Sequence, residues 1–503
     1  MRTNPVKPQP TLKLIVGRAL RLALCTVALT AWINSSNPAA AMGGFGRGGG
    51  FGRPGFGMGF GQRRPIIAPR RYGGRVVEPG RGPGHHRVVG GTGGGIGVNS
   101  GPVISERRTG GGAGGNSGVP PQGERRFVPD EVITEISPAA TPQSIGEIAR
   151  RYDLTQLEVQ RFPLIGATFY RWRLGGRRSV ADTVGALEDE RVVMSAQPNY
   201  IFSLQEAATK SASGTQGDAA QYVLAKLQID RAHQIATGKN VLVAVIDSEI
   251  DANNPNLEHS IVKSFDALSG DQAPHRHGTA MAGAIAARGK LLGIAPGAAL
   301  LAARAFEGTP GVARGMSFAI YKSLQWAADN AARIVNLSFA GPADPALHRM
   351  LTAAHERNMV LIAAAGNAGP NSGPLYPAAD GAVIAVTATD SDDGVFKMAN
   401  RGAYIAAAAP GVEVLALAPG ESYQITTGTS VAAAHVSGLA ALLLERKPSL
   451  KPDEVRTIIM TTAKPFGPAS PHAESGVGLV NAYRALLSLN GKAGEDGDAQ
   501  AKR

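Results

Sequence analysis

The chain has 503 residues, of which 43% are hydrophobic, so it is long enough for two or three domains and can fill a sizeable core. Residues 1–41 carry five Lys or Arg and no acid, and residues 42–126 carry thirteen Arg and three Glu. Of the formal net charge of +12, residues 127–503 are therefore left with −3, which excludes a strongly basic folded part. A chain that loses its first 41 residues also loses Cys25, its only cysteine, which excludes disulfides, thiolate metal sites and a cysteine nucleophile.

Residues 1–41 have the pattern of an export signal. Basic residues precede the apolar stretch LALCTVALTAWI, and an Ala-rich end follows it. This order predicts a secretory signal that is cleaved after Ala41, so that the protein is periplasmic or extracellular. An uncleaved membrane anchor is the alternative, but the apolar stretch is short against the roughly 20 residues that a spanning helix needs.

Residues 42–126 form a glycine-rich arm. The segment 43–118 holds 29 of the 65 glycines, with Arg and Phe among them, as in GGFGRGGGFGRPGFGMGFGQRRP. Such a sequence cannot bury enough apolar surface to offset the entropy of ordering it, so we expect disorder. We interpret the arm as a flexible spacer, with attachment to a polyanionic surface as the alternative. Because the chain is predicted to be exported, we expect no nucleic-acid partner.

Residues 127–204 have the pattern of a small folded domain. Strand-like DEVITEI, GATFYRWRL and VVMSAQPNYIFSL alternate with helix-like TPQSIGEIARRYDL and SVADTVGALEDE. The order β-α-β-β-α-β predicts an α+β, ferredoxin-like domain. The small polar residues of 205–219 predict an exposed linker that follows it.

Residues 220–490 are rich in Ala, Val, Ile, Leu and Gly. Apolar strand-like runs recur as NVLVAVID, ALLAARAF, ARIVNLSF, MVLIAAAGN, AVIAVTATD and AYIAAAAPG, and helical stretches separate several of them. Unbroken apolar strands and intervening helices predict an α/β fold with a parallel sheet that is covered on both faces. Residues 491–503 are predicted to be a polar tail.

Four polar residues lie where such a sheet places functional groups. Asp247 and Asn367 each end an apolar strand, and His277 and Ser430 each stand at the start of a small-residue helix. Taken singly, each has a structural interpretation as a turn former, a helix cap or a buried histidine, and Thr429 is a candidate for the cap beside Ser430. Taken together, they contain a hydroxyl, a base and a carboxylate in the order Asp…His…Ser, with gaps of 30 and 153 residues.

The segments VAVIDS, HGTAMAG, AAAGNAG and GTSVAAAHVSG around these residues resemble the four signature segments of subtilisin-like serine proteases. The resemblance extends over residues 220–490 and implies a three-layer, parallel-sheet catalytic domain. It implies that Ser430 is the nucleophile, that His277 is the general base and that Asp247 orients the imidazole. Asn367 would donate its side-chain amide to the oxyanion, beside the main-chain N–H of Ser430.

The same resemblance implies where a protein or peptide substrate binds. The edge segment NLSFAGP would pair with an extended peptide, as in β-augmentation. The residues expected to line the site are Ser338, Phe339, Ala340, Gly341, Ala363, Ala364 and Ala365. Because no acid marks the pocket, we expect a broad apolar preference.

The domain predicted over 127–204 resembles the inhibitor-type propeptide of these proteases. Its end, AQPNYIFSL, resembles the segment that leads the new C-terminus into the active site. The protein would then be a zymogen that removes this domain itself, by a cut near 203–219, and that acts as a monomer. High-contact-order parallel sheets fold slowly, which gives such a domain a use as a folding aid.

The family pattern is broken at four positions by Glu249 for a glycine, Ala280 for the second histidine of HGTH, Ala340 for a glycine and Ala434 for a proline. Glu249 places a charge close to the triad carboxylate. An inactive homologue that binds peptides or surfaces is therefore the alternative function. The segment AARGKLLGIAP is shorter than the calcium loop of secreted members and lacks its Asn-rich ligands, so we expect no calcium there. No metal ligands and no cofactor are assigned elsewhere, and the scattered Asp residues leave weak calcium sites open as an alternative.

Overall fold

The computed structural model describes residues 117–205, 210–212, 221–309, 312–466 and 472–490. The predicted signal (residues 1–41) and polar tail (491–503) lie outside these ranges, as do most of the glycine-rich arm and of the linker. The expectations for those segments therefore stay predictions.

The described N-terminal domain begins at Ser117, ahead of the predicted boundary at residue 127. Ser117 Oγ donates to Glu188 Oε2 at 2.7 Å, and the main-chain N–H of Gly118 donates to the other oxygen of that carboxylate. A Cβ atom on Gly118 would lie 1.8 Å from the carbonyl oxygen of Ala196. These contacts use one serine hydroxyl, one main-chain N–H and the missing side chain of a glycine, so the glycine-rich composition of the segment gives no sign of them.

The N-terminal domain (residues 117–204) is an antiparallel sheet with two helices. Its elements are β1 (Phe127–Ile136), α1 (Pro142–Arg151), β2 (Leu154–Phe162), β3 (Ala167–Leu174), α2 (Val180–Glu188) and β4 (Val193–Leu204). The strand order is β2-β3-β1-β4, in the predicted β-α-β-β-α-β sequence. Thr141 and Ser179 cap the two helices with their hydroxyls. The sequence analysis did not single out β2, because it has no continuous apolar run and buries only its two end residues, Leu154 and Phe162.

The rest of the described chain forms a second domain around a seven-stranded sheet. Its elements are β5 (Lys210–Ala212), α3 (Tyr222–Leu227), α4 (Ile229–His233), β6 (Leu242–Asp247), β7 (Ile261–Asp266), α5 (Arg276–Ala286), β8 (Ala299–Arg304), β9 (Glu307–Thr309), β10 (Val312–Met316), α6 (Ser317–Asp329), β11 (Ile334–Leu337), β12 (Phe339–Ala340), α7 (Pro345–Glu356), β13 (Val360–Ala364), β14 (Val383–Thr389), β15 (Ile405–Pro410), β16 (Val414–Ala418), β17 (Ser422–Thr426), α8 (Thr429–Arg446), α9 (Pro452–Thr462) and α10 (Ala482–Ser488). The sheet order is β15-β14-β13-β11-β6-β8-β7, and every pairing is parallel. Six of these strands were predicted, and β7 was missed because it is a polar, largely exposed edge strand.

Helices cover both faces of the parallel sheet. Along β6, Val243 and Val245 belong to the apolar core on one face, whereas Ala244 and Ile246 belong to the core on the other. Side chains of α5 and α8 complete the first core, and those of α6 and α7 complete the second. The predicted three-layer α/β architecture is therefore confirmed. Across the helices of the described residues, none combines the length and the apolar surface that crossing a bilayer requires.

Strand β4 joins the two domains. It pairs with β1 inside the N-terminal domain, and its last residues pair antiparallel with β10 on one side and β12 on the other. Next to this sheet, the rings of Phe162 and Phe169 pack against Tyr321 of α6, and Phe162 also packs edge-on against Phe318. The C-terminal end of the N-terminal domain is thus held at the edge of the second domain, close to the carboxyl ends of its strands.

Candidate active site

The parallel sheet brings the predicted polar residues to one edge. Asp247 is the last residue of β6, and Asn367 follows β13, so both lie at the carboxyl ends of strands that only β11 separates in the sheet. His277 and Ser430 are each the second residue of a helix, α5 and α8. Parallel α/β sheets collect functional side chains at this edge, because the strands end and the helices begin there.

Asp247 and His277 form a buried pair. His277 Nδ1 lies 2.8 Å from Asp247 Oδ1 and 3.0 Å from Oδ2. An ionised carboxylate only accepts, so Nδ1 carries the proton and Nε2 is left as the basic nitrogen of the neutral ring. Asp247 also accepts from Ser248, from the main-chain N–H at 2.7 Å and from Oγ at 3.1 Å. These bonds fix both the carboxylate and the tautomer of the imidazole.

Ser430 is held by main-chain and side-chain contacts to Ser338. Ser430 Oγ lies 3.1 Å from the carbonyl oxygen of Ser338, and Ser338 Oγ donates to the carbonyl oxygen of Ser430 at 3.0 Å. Asn336 Nδ2 donates to Ser338 Oγ at 2.9 Å, and Ser437 Oγ donates to Asn336 Oδ1 at 3.0 Å. This buried chain of hydrogen bonds ties strand β11 to helix α8 and fixes the main chain of the serine.

Asn367 is oriented by Thr429. Its Oδ1 accepts from the Thr429 main-chain N–H at 3.0 Å and from Thr429 Oγ1 at 2.9 Å, so its Nδ2 points to the other side. There, Nδ2 donates to the carbonyl oxygen of Gln205 at 2.9 Å. The helix α8 has Gly428 at its cap position and no side-chain cap, so Thr429 does not cap the helix as suggested from the sequence, because its hydroxyl is used for Asn367.

The carbonyl oxygen of Gln205, directly after β4, lies at the centre of the site. It is 3.0 Å from Ser430 Oγ and 2.9 Å from Asn367 Nδ2. A Cβ atom on Gly428 would lie 2.7 Å from this oxygen and 2.9 Å from Asn367 Nδ2. Position 428 therefore needs glycine for space, because a side chain would displace either the carbonyl or its donor.

The end of β4 lies in the groove that the sequence assigned to substrate. Leu204 is opposite Phe339 and Ser203 is opposite Ala340 in β12. On the other side, Phe202 is opposite Gly315 of β10, a strand that the sequence analysis did not identify. The signal for β10 is weak, since VARGM is short and is interrupted by Arg314 and Gly315.

The predicted substrate-binding residues fall into two groups. Ser338, Phe339, Ala340 and Gly341 are on the groove edge, where Gly341 lies under the ring of Phe202. The second group is Ala363, Ala364 and Ala365, at the end of β13, and its members are fully buried. Their place in the wall of a substrate pocket stays a prediction.

The departures from the family pattern are accommodated in different ways. Ala280 and Ala434 are buried in the apolar packing of α5 and α8. The carboxylate of Glu249 lies 3.6 Å from the Nε of Arg304, which is nearly buried. Partial burial raises the pKa of Glu249, and the Arg304 charge offsets part of that rise. The charge that Glu249 adds beside the triad is thus matched by a cation.

A three-layer parallel sheet that carries an imidazole on a buried carboxylate, and a serine and an amide on one peptide carbonyl, has the groups that define the class of serine peptidases. The model of the subtilase family of peptidases matches residues 238–478. The chain is 32% identical over 274 residues to thermitase of Thermoactinomyces vulgaris, covering 53% of this chain and 95% of that protein. It is 36% identical over 270 residues to subtilisin BL of Lederbergia lenta, covering 52% of this chain and 97% of the relative. The chain therefore belongs to the subtilase family and is a subtilisin-like serine endopeptidase.

A solved structure resembles a larger part of the chain. The crystal structure of fervidolysin from Fervidobacterium pennivorans, described as a keratinolytic enzyme related to subtilisin, superposes with a TM-score of 0.62. The match covers 74% of this chain and 62% of that chain, at 24% identity. At this identity the likeness concerns the fold alone.

Proposed function

We propose that the chain is an exported endopeptidase that is made as a self-processed zymogen. Ser430 is its nucleophile, His277 its general base and Asp247 the group that orients the base. One observation carries the proposal, namely that the carbonyl oxygen of Gln205 lies within hydrogen-bond distance of both Ser430 Oγ and Asn367 Nδ2. A peptide carbonyl is thus in the place where a scissile bond must be for attack.

The chemistry expected of these groups is that of serine peptidases in general. Ser430 Oγ attacks the carbonyl carbon while His277 Nε2 takes the hydroxyl proton, and Asp247 stabilises the imidazolium that forms. The carbonyl oxygen becomes an oxyanion, to which Asn367 Nδ2 and the Ser430 main-chain N–H at the start of α8 donate. The C–N bond then breaks and His277 protonates the leaving amine. Water, deprotonated by His277, hydrolyses the acyl-enzyme and restores Ser430.

The N-terminal domain is the propeptide in this proposal, and the first bond cut is Gln205–Glu206. Residues 201–204 of β4, which precede Gln205, are extended and pair with β10 on one side and β12 on the other. The predicted cut near 203–219 is thereby narrowed to one bond. Because the arm precedes the propeptide in the chain, the same cut separates both from the catalytic domain.

Buried contacts away from the scissile bond hold the propeptide in place. Gln197 of β4 donates to Asp344 Oδ1 at 2.8 Å and accepts from the Ala346 N–H at 3.0 Å, at the start of α7. Asn199 Oδ1 accepts from the Phe318 N–H in the first turn of α6 at 3.3 Å. The propeptide thus accepts hydrogen bonds from N–H groups that have no partner within their own helix, at the N-termini of two helices. These bonds favour continued inhibition after the bond is cut.

The strand in the groove also indicates which peptides the enzyme accepts. Phe202, the fourth residue before the bond, is fully buried and packs edge-on against Phe339, with ring centroids 5.8 Å apart. Leu204, the second residue before the bond, is also buried. Gln205 itself places its side-chain oxygen 2.8 Å from the Asn367 N–H. We therefore expect the enzyme to favour an aromatic side chain at the fourth residue before the cut and leucine at the second. We expect it to accept glutamine at the residue directly before the cut.

The test is to express residues 42–503 with the native serine and as Ser430→Ala, and to follow intact mass and labelling by a fluorophosphonate probe. We expect the native protein to release a fragment that begins at Glu206 and to take the label. The Ser430→Ala protein should stay full-length and unlabelled. If both stay full-length, and the native protein stays unlabelled after another protease removes the N-terminal domain, the chain is instead an inactive peptide-binding homologue.

A further inference from the structure

Arg304, the last residue of β8, lies beside the triad without belonging to it. Its guanidinium is nearly buried and contacts groups on three separate segments. One terminal nitrogen donates to Asp266 Oδ2 at 2.7 Å and to the Gly270 carbonyl at 2.6 Å, and the other donates to Gln272 Oε1 at 2.8 Å. Its Nε lies 3.6 Å from Glu249 Oε2. A buried arginine needs such partners, because an unpaired buried charge is strongly unfavourable.

These contacts hold the β7–α5 segment, residues 267–275, which leads to His277. Arg304 fixes the first half of the segment, through Gly270 and Gln272. Its last residue, His275, donates its main-chain N–H to the carbonyl oxygen of Glu249 at 2.8 Å. His275 Nδ1 lies 2.9 Å from Ser248 Oγ and accepts from the His277 N–H at 3.4 Å. The position of the catalytic imidazole thus depends on how this segment is fixed at both ends.

The same residues carry charge close to the triad. Asp247 and Arg304 are paired in the register of β6 and β8, and the N–H groups of Ala305 and Phe306 donate to the Asp247 carbonyl at 2.9 and 3.2 Å. The charged or titratable residues on the elements around His277 include Asp247, Glu249, Asp266, His275, Arg276, Arg304 and the buried His435 of α8. Glu249 favours a protonated imidazole, whereas Arg304 disfavours it.

We propose that Glu249 and Arg304 are a positioning pair for the catalytic histidine, which hold the β7–α5 segment and set the proton affinity of the imidazole in opposite directions. The proposal rests on the proposed role of His277 as general base. It assigns a function to the substitution of the family's glycine by Glu249, because Glu249 adds a second carboxylate to Arg304, which already pairs with Asp266 at 2.7 Å, and places that charge on the side of the triad. Among the described residues, the polar partners of the two side chains do not include any residue of β4, so both are expected to act through His277.

The experiment compares the pH dependence of kcat/KM for processed native enzyme and for the variants Glu249→Gln, Arg304→Gln, Arg304→Lys and Glu249→Gln/Arg304→Gln. The acidic limb reports the pKa of the free base. We expect Glu249→Gln to move the limb about half a pH unit lower and Arg304→Gln to move it about half a unit higher, as Coulomb interactions across a few residues predict. The double variant should return close to the native limb, and Arg304→Lys should keep it while lowering kcat/KM through a looser segment.

A matched control removes a carboxylate charge at the opposite edge of the sheet. Asp453 lies 3.2 Å from His355, near the C-terminal end of α7 and hence at the edge where the strands begin. Asp453→Asn should leave the acidic limb within about 0.1 unit of native. If Glu249→Gln and Arg304→Gln leave the limb in place, or both move it in the same direction, the charge pairing is wrong and the two residues only stabilise the fold.

A second measurement separates this inference from the proposed function. In Ser430→Ala protein labelled with ¹⁵N-histidine, the pKa of His277 can be titrated by NMR without turnover. The same opposite shifts are expected there for Glu249→Gln and Arg304→Gln. If the native protein never processes itself but the shifts occur, the proposed function fails and the pairing stands. If processing is normal and the His277 pKa is unmoved in both variants, the pairing fails alone.

Discussion

A Cβ atom on Gly341 would lie 2.3 Å from a ring carbon of Phe202, so the missing side chain of the glycine makes the space that the phenylalanine fills. Gly341 is fixed there by two main-chain hydrogen bonds with Tyr376, at 2.8 and 3.1 Å. The ring cannot move aside easily, because it also packs against Phe339. The space for the Phe202 ring is therefore set at position 341, and for the proposed cut this is the pocket of the fourth residue before it.

Gly341→Ala should change which peptides are cleaved. We expect KM for a peptide with Phe at the fourth position before the cut to rise roughly tenfold, since a methyl group fills the space of the ring. A peptide with Ala at that position should keep its KM. The measurement is KM and kcat for the two peptides with native and Gly341→Ala enzyme. Equal effects on both peptides would mean that the aromatic side chain binds elsewhere.

Asn367→Leu should lower kcat by a factor of about 100 to 1000, with KM little changed, because the amide acts on the oxyanion rather than on the ground-state peptide. The control is Thr429→Val, which removes the hydroxyl bonded to Asn367 Oδ1 but keeps the main-chain N–H bond to the same oxygen. The kcat of Thr429→Val should be lower than that of the native enzyme by a factor of about ten at most. A full-rate Asn367→Leu enzyme would show that another donor stabilises the oxyanion.

Gln197→Leu should shorten the time for which the cut propeptide keeps inhibiting the enzyme. The side chain bonds Asp344, Tyr321 and the Ala346 N–H, and all of these groups are buried. Losing such bonds weakens binding by about tenfold or more. The measurement is the lag between cleavage, seen by mass, and the onset of peptide hydrolysis. Glu135→Gln, which breaks an exposed ion pair with Arg349 in the same interface, should shorten the lag less than about threefold.

His435 predicts an acid-sensitive step in stability. His435 is a residue of α8 and its side chain is buried, which lowers its pKa to about 4. Its Nδ1 is hydrogen-bonded to the Pro410 carbonyl oxygen at 2.9 Å. Because its pKa in the unfolded chain is near 6.5, the unfolded state binds a proton first as the pH falls. The contribution of His435 to the free energy of unfolding is therefore fully present above about pH 6.5. It decreases by roughly 3 kcal/mol as the pH falls from about 6.5 to about 4.

The measurement for His435 is the free energy of unfolding in urea at pH 7 to 4, in a Ser430→Ala background that prevents self-digestion. His435→Gln keeps a donor for Pro410 but cannot take up the proton. The two proteins should differ in stability in a pH-dependent way only between about pH 6.5 and 4. Parallel curves over this range would mean that His435 is protonated in the folded state.

The parts of the fold and site that the sequence predicted are those with a local signal. Asp247 ends a run of apolar residues that is buried on both faces of the sheet, so its place at a strand end could be inferred from composition alone. Strands β2 and β7 have no such run, because β2 buries only its two end residues and β7 buries none, and β7 pairs with β8, which lies beyond helix α5 in the chain. A polar edge strand and a loop are alike in sequence, which is why both strands were missed.

Contacts between distant segments were beyond the reach of the sequence. Gln197 and Tyr321 are 124 residues apart, and only the docking of two domains makes them partners. Likewise, nothing in the linker sequence distinguishes Gln205 from its neighbours. Only the structure shows that β4 brings the carbonyl oxygen of Gln205 to within 3.0 Å of Ser430 Oγ. The charge of Glu249 was noted as a departure, but its partner Arg304 lies on another strand.

The placement of β4 in the groove of its own chain has a kinetic consequence. If Gln205–Glu206 is the first bond cut, as proposed, its cleavage within the same chain is a unimolecular step, and the half-time of that step should be independent of protein concentration. Dilution separates molecules from one another but leaves this step unchanged. On the proposed mechanism, the time between docking of the two domains and the first cleavage is therefore a property of the single molecule. It should be the same in a crowded compartment and in a dilute medium.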